Sequence, residues 1–148
     1  MPKILIVDDD DVIRDTLYEL LSEEYICQTA ETAERALARL EADSYDVVLT
    51  DISMPGLSGL ELLGHILQKF PGTPVIMISA IGDHEHAEGL IKLGAFDFLL
   101  KPFTLEVVER SVQRALEYRW HLADASADKV KVSDRDNTED EAGDWKIV

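Results

Sequence analysis

Val48-Leu49-Thr50-Asp51-Ile52-Ser53-Met54-Pro55-Gly56 is an apolar run that ends on one acidic residue and then turns at Pro-Gly. A buried strand that stops at a carboxylate puts that carboxylate at the carboxyl edge of a sheet, where open α/β sheets bind ligands. Three other runs end in a comparable way. Ile4-Leu5-Ile6-Val7 leads into Asp8, Asp9, Asp10 and Asp11, Val75-Ile76-Met77-Ile78 ends on Ser79, and Phe98-Leu99-Leu100 is followed by Lys101-Pro102-Phe103. Four strand ends would therefore present carboxylates, a hydroxyl and an ammonium to one crevice.

Between these runs the apolar residues recur at helical spacing. Asp10 or Asp11 caps a first helix with Ile13, Leu17, Leu20 and Leu21 inward, and Thr32 caps a second with Ala33, Ala36, Leu37 and Leu40 inward. Leu60, Leu63, Ile66, Leu67 and Phe70 mark a third helix, stopped by Pro71-Gly72. A fourth, over about 83–93, carries Ala87, Leu90, Ile91 and Leu93 as its apolar content, is diluted by Gly89 and closed by Gly94, which makes it the element expected to move most. A last helix runs from Thr104 through Val108, Val112, Ala115 and Leu116 to Trp120. Ile26 to Ala30 is more polar than the other strands and reads as an edge strand, and Phe96 to Leu100 reads as the fifth.

Strands alternating with helices give a parallel sheet with right-handed crossovers. The fold class is α/β, a doubly wound five-stranded parallel sheet between helical layers, in the flavodoxin-like order 2-1-3-4-5. That order sets the first and third strands side by side, so Asp8, Asp9 and Asp51 meet.

The 148 residues suit one domain, read as 1–122, followed by an acidic, solvated tail or linker over 123–148 in which Trp145, Ile147 and Val148 are apolar islands. A formal net charge of −16 argues against direct nucleic-acid binding and against an anionic membrane surface. The one cysteine, Cys27, reads as a buried core residue, and neither a secretory signal nor a membrane span is apparent, so a cytoplasmic location is expected.

Three carboxylates at one point repel and raise one another's pKa. A hard cation with oxygen ligands relieves this, and Mg²⁺ is commonly held by one or two carboxylates and a phosphate. A lysine and a hydroxyl beside it complete an inventory suited to phosphoryl transfer, in which an Asp can itself be the nucleophile. Each residue also has a plain structural reading: Asp10 and Asp11 favour a helix start, Asp51 a turn, Ser79 a cap and Lys101 the surface. Their coincidence at four strand ends is what lifts them.

The texts Ile4 to Asp10, Asp51 to Gly59, Ile78-Ser79-Ala80 and Gly94 to Phe103 closely resemble the receiver domain of two-component response regulators, over residues 2–120. The resemblance implies a CheY-like fold and a signalling phosphoacceptor rather than an enzyme acting on a separate substrate. Asp51 would accept a phosphoryl group from a phosphohistidine on a sensor histidine kinase or phosphotransfer protein. Asp8, Asp9, Asp51 and the backbone carbonyl of Ser53 would ligate Mg²⁺, with Mn²⁺ as a substitute. Lys101 would pair with Asp51 and then with the phosphoryl group. Ser79 and Phe98 would form the switch that alters the surface of the fourth helix, fifth strand and fifth helix, for an effector, an output domain or a second copy. The Lys101-Pro102 peptide is cis in the family. Ser79 and Phe98 stand where Thr and Tyr are more frequent, and apolar Ile81 beside the site implies a long-lived phosphoryl group.

Two rival readings remain. Asp8 followed by Asp10 also fits the opening of haloacid-dehalogenase-like phosphatases, with Asp8 as nucleophile and Asp10 as acid/base, although Asp51 would then go unexplained. A receiver-shaped interaction module that needs no phosphorylation is the other.

Overall fold

The computed structural model describes residues 1–79 and 89–131, with 123–131 as backbone. Five parallel strands, β1 (Lys3–Val7), β2 (Ile26–Ala30), β3 (Val47–Asp51), β4 (Val75–Ser79) and β5 (Asp97–Leu100), form one sheet in the order β2-β1-β3-β4-β5. This is the doubly wound order the alternation predicts, with polar β2 at an edge. β1 and β3 pair directly, Val7 opposite Thr50, so the next residue of each strand pair, Asp8 and Asp51, leaves the sheet side by side. All five residues of β3 and of β4 are buried, as expected of strands covered on both faces.

Side-chain alternation along β1 divides the core into two halves. Ile4 and Ile6 pack with Leu17 and Leu21 of α1 (Asp11–Leu21) and with Val108, Val112, Ala115 and Leu116 of α5 (Leu105–Lys131). Leu5 and Val7 face α2 (Ala33–Ala42) and α3 (Gly59–Lys69), together with Leu90 of the helical residues 89–92, labelled α4. Cys27 is buried in the first half, and burial pushes its thiol up.

Local chemistry sets the helix ends. Asp10 caps α1, Thr32 caps α2, and Ser58 with Glu61 forms a reciprocal capping box on α3. α4 closes as a Schellman motif: the Ala95 N–H bonds the Leu90 carbonyl at 3.0 Å and the Gly94 N–H bonds that of Ile91 at 3.0 Å. Gly94 sits at φ +113°, where a side chain would strain the backbone and where a Cβ would lie 2.5 Å from Leu67.

Four expectations change. Leu60 is 41% exposed, and Leu62 takes the inward place. With leucines at 60, 62 and 63 the periodicity alone does not choose a phase; packing against the core does, with Gly59, Leu62, Leu63 and Ile66 buried. β5 starts at Asp97, although the Phe96 N–H still bonds the Val75 carbonyl at 2.8 Å. Ile91 and Leu93 are exposed, leaving Leu90 to anchor α4. The last helix passes Trp120 and runs to Lys131, so the region read as a tail from residue 123 begins as helix. Alanines at 123, 125 and 127, with no Gly or Pro among them, favour that continuation. Ile81, most of the fourth helix as read from the sequence, and Trp145, Ile147 and Val148 lie outside the described residues. Among the described residues no helix is long and apolar enough to cross a membrane.

Candidate functional site

The site is assembled from four chain segments at the carboxyl edge of the sheet. Asp8 follows β1, Asp51 ends β3, Ser79 ends β4 and Lys101 follows β5. Backbone bonds carry the pairing past the strand ends: the Ile52 N–H meets the Ile78 carbonyl at 3.1 Å and the Lys101 N–H meets the Ser79 carbonyl at 2.9 Å. The residues that bear the chemistry are thus held by sheet hydrogen bonds rather than by loops.

Asp8, Asp9 and Asp51 each place a carboxylate oxygen within 4.8 Å of the other two. Asp8 is fully buried and Asp51 is 7% exposed, while Asp9 is open to solvent. Burial first, then the neighbouring Asp8 carboxylate, pushes Asp51 up to about 6, against the downward pull of Lys101. Burial likewise raises Asp8, opposed chiefly by the Asp10 N–H that donates to Asp8 Oδ1 at 2.9 Å. Lys101 Nζ lies 3.9 Å from Asp51 Oδ2, an ion pair without hydrogen-bond contact.

Among the described residues, Asp8 Oδ2 and Ser79 Oγ are the buried side-chain polar atoms that lack a hydrogen-bond partner. Buried polar atoms are ordinarily paired, and an exception is explained by strain, a catalytic role, or a water or ion that completes it. The donor set here is all oxygen, two of the three carboxylates are buried, and one buried oxygen is orphaned. A hard divalent cation fits those conditions, and a thiolate- or imidazole-preferring metal does not. Ser53 follows Asp51 by two residues, exposed in the loop between β3 and α3.

Asp10 does not join the cluster. Its Oδ1 accepts the Val12 N–H at 2.9 Å and the Ile13 N–H at 3.4 Å as the cap of α1. That engagement occupies Oδ1 of the second acid on which a reading through Asp8 and Asp10 depends. Phe98 is half-buried and packs on the core half that contains Met77, its register partner in β4. Ser79 is two residues beyond Met77 and shares its face, so Ser79 and Phe98 lie on one side of adjacent strands. The Lys101-Pro102 peptide is cis.

Two further residues support the site. A Cβ on Gly59 would lie 2.0 Å from the Asp51 carbonyl, so only glycine lets α3 start this close to the end of β3. Its legible signal was the capping pattern Ser58 to Glu61 around it. Arg14 donates from Nη1 to the Asp8 carbonyl at 2.8 Å, a contact that no local pattern announces.

A family model described as the response regulator receiver domain matches residues 4–113. Among curated proteins, the chain is 40% identical over 116 residues to the DNA-binding transcriptional regulator NtrC of Salmonella typhimurium, covering 78% of this chain and 25% of that protein. It is 42% identical over 117 residues to the nitrogen assimilation regulatory protein NtrX of Azorhizobium caulinodans, covering 77% of this chain and 26% of that one. The chain thus spans about a quarter of the length of these relatives. Among solved structures, the receiver domain of NtrX from Brucella abortus superposes with a TM-score of 0.74 at 41% identity, covering 77% of this chain and 98% of that one. A response regulator receiver domain protein from Clostridium thermocellum superposes with a TM-score of 0.78 at 32% identity, covering 82% and 99%.

Proposed function

The chain belongs to the response regulator receiver domain family of two-component signalling, and from that premise we propose that Asp51 accepts a phosphoryl group from a phosphohistidine on a sensor histidine kinase or phosphotransfer protein. The observation that carries this reading is the carboxylate trio within 4.8 Å, with an orphaned buried oxygen on Asp8 and a lysine paired to Asp51.

Asp8, Asp9, Asp51 and the Ser53 carbonyl would hold a magnesium ion, or manganese in its place, which when bound would supply charge neutralisation at the incoming phosphoryl oxygens. Asp51 attacks phosphorus through a carboxylate oxygen. The phosphorus–nitrogen bond breaks, and the imidazole leaves with the bonding electron pair. At neutral pH Asp51 is ionised and nucleophilic, because its pKa of about 6 still lies below 7. Lys101 Nζ, 3.9 Å from Asp51, is close enough to follow the new charge. The Ser79 hydroxyl, buried and unpaired, acquires a partner in a phosphoryl oxygen.

That new bond draws Ser79 toward Asp51 and frees space on its own face of the sheet, into which the half-buried Phe98 ring turns. The readout surface is formed by α4, the free edge of β5 and α5, where Ile91, Leu93, Val107 and Tyr118 are exposed. It serves a downstream effector, an output domain or a phosphorylation-dependent second copy. The transcriptional regulators among the relatives favour an output domain that acts on transcription. This segment, at −16, does not itself bind nucleic acid.

Incubation with acetyl phosphate tests the reading. A Mg²⁺-dependent, hydroxylamine-labile label is expected on wild type, with labelling of Asp51→Asn down by at least about 100-fold. Labelling of Asp8 instead favours the phosphatase reading, and a wild type that takes no label favours the phosphorylation-independent interaction module.

A further inference from the structure

The acidic turn between β1 and α1 is held by an arginine that takes no part in the chemistry above. Arg14 Nη1 donates to the backbone carbonyl of Asp8 at 2.8 Å, and Nη2 donates to the Asp11 carboxylate. The side chain is only 14% exposed. On the other side of the same residue, Asp8 Oδ1 accepts the Asp10 N–H at 2.9 Å, and Asp10 is itself fixed as the cap of α1. Asp8 is therefore gripped at its carbonyl and at one carboxylate oxygen. The other oxygen, Oδ2, is buried and has no partner.

We propose that Arg14 is a positioning residue for the divalent cation: by holding the Asp8 carbonyl it locks the turn so that Asp8 Oδ2 faces the ion. This rests on the reading of the carboxylate trio as a metal site. It adds a role for a residue that touches neither the ion nor the phosphoryl group. Groups behind a metal ligand commonly set its orientation and the affinity of the site.

The sign of the effect separates this role from simple electrostatics. Arg14 is a cation near the site, so if its charge alone mattered, removing it would tighten the binding of a second cation. If it positions Asp8, removing it loosens the turn and weakens binding. A purely structural role would lower the melting temperature of the metal-free protein and leave metal affinity unchanged.

Titration of the whole chain with Mg²⁺ and with Mn²⁺ by calorimetry reads this directly, alongside far-UV circular dichroism and metal-free melting. For Arg14→Gln, affinity is expected to fall roughly tenfold for both ions, with an unchanged circular dichroism spectrum. Equal or tighter binding overturns the proposal. If Arg14→Gln does not fold, Arg14→Lys decides, because it keeps the charge and loses the two-pronged grip: weaker binding supports the proposal, and wild-type affinity overturns it. A wild type that binds neither ion overturns the metal-site reading and this inference together. Wild-type binding with an unaffected Arg14→Gln overturns the inference alone.

Discussion

The two ends of the same sheet are both charged, and they are built in opposite ways. At the amino end Asp46 accepts the Lys3 backbone N–H at 2.8 Å and Arg119 Nε at 3.1 Å. Arg119 also donates to the Gly72 carbonyl at 2.7 Å, and Lys3 pairs with Asp43. The Lys3 hydrogen bond holds Asp43 below its ordinary pKa, and the same bond holds Lys3 above its own. At the carboxyl end Asp8 and Asp51 are raised instead, the Lys101 ammonium stands 3.9 Å from Asp51, and Asp8 Oδ2 and Ser79 Oγ are orphaned. One end is a closed network that ties α5 to the loops beneath the sheet. The other is left incomplete, and an incomplete polar cluster is a place for something to bind.

If that contrast is right, substitutions at the two ends move function and stability in opposite directions. The largest effect is at Asp51. Besides losing the label, Asp51→Asn is expected to stabilise the metal-free protein at pH 7.5 by about 1–2 kcal/mol, because it removes a buried charge crowded by Asp8. Chemical denaturation of both proteins checks this, and a destabilised variant would contradict the account of Asp51.

The pH dependence comes next. The folded pKa of Asp51, about 6, lies above its ordinary value of 3.8. The native state therefore binds more protons between those values, and the contribution of this group to stability falls as pH rises from about 4 to about 6 and is flat above. Metal binding runs the other way, because the proton and the ion compete for the same oxygens. Lowering pH from 7.5 to 5.5 is expected to weaken Mg²⁺ binding roughly fourfold through this carboxylate alone. Calorimetry at the two pH values measures it, and an unchanged affinity would break the link between burial and metal site.

Arg119→Ala acts at the closed end. It removes hydrogen bonds to Asp46 and Gly72 and is expected to lower stability by about 1 kcal/mol, after allowance for partial exposure. Acetyl phosphate labelling should stay at the wild-type level; a matching loss of labelling would mean the two ends are not independent. The smallest effect belongs to Ser79→Ala. Deleting a buried, unpaired hydroxyl should leave stability within about 1 kcal/mol of wild type. Labelling should persist, while phosphorylation-dependent NMR shifts at Phe98 shrink. Full-sized shifts there would remove Ser79 from the switch.

The fold was legible because its strands are short, apolar and punctuated. Val47–Asp51 and Val75–Ser79 announce themselves, and the polar Ile26–Ala30 announces an edge. What misled was local ambiguity. Leu60 and Leu62 satisfy the same periodicity, and packing against the core decided between them. The end of α5 is hidden in the sequence because acidic composition reads as solvation, although alanine-rich text sustains a helix as readily as it does a tail. Within the site, Asp8, Asp9, Asp51, Ser79 and Lys101 were legible from their places at strand ends. Gly59 and Arg14 were not recognised as its supports, since their contacts, the Asp51 carbonyl and the Asp8 carbonyl, are backbone atoms that carry no sequence signal.

The order of apolar runs and acidic termini was enough to determine a parallel sheet and to line up one nucleophile candidate with its charged neighbours, because strand ends in such a sheet necessarily share an edge. Only the folded chain decided that Asp10 caps α1 instead of joining the cluster, that Asp51 is raised to about 6, and that Asp8 keeps one oxygen free. Those outcomes depend on burial and on distances of a few ångströms between segments far apart in sequence, and such quantities exist only once the sheet has formed.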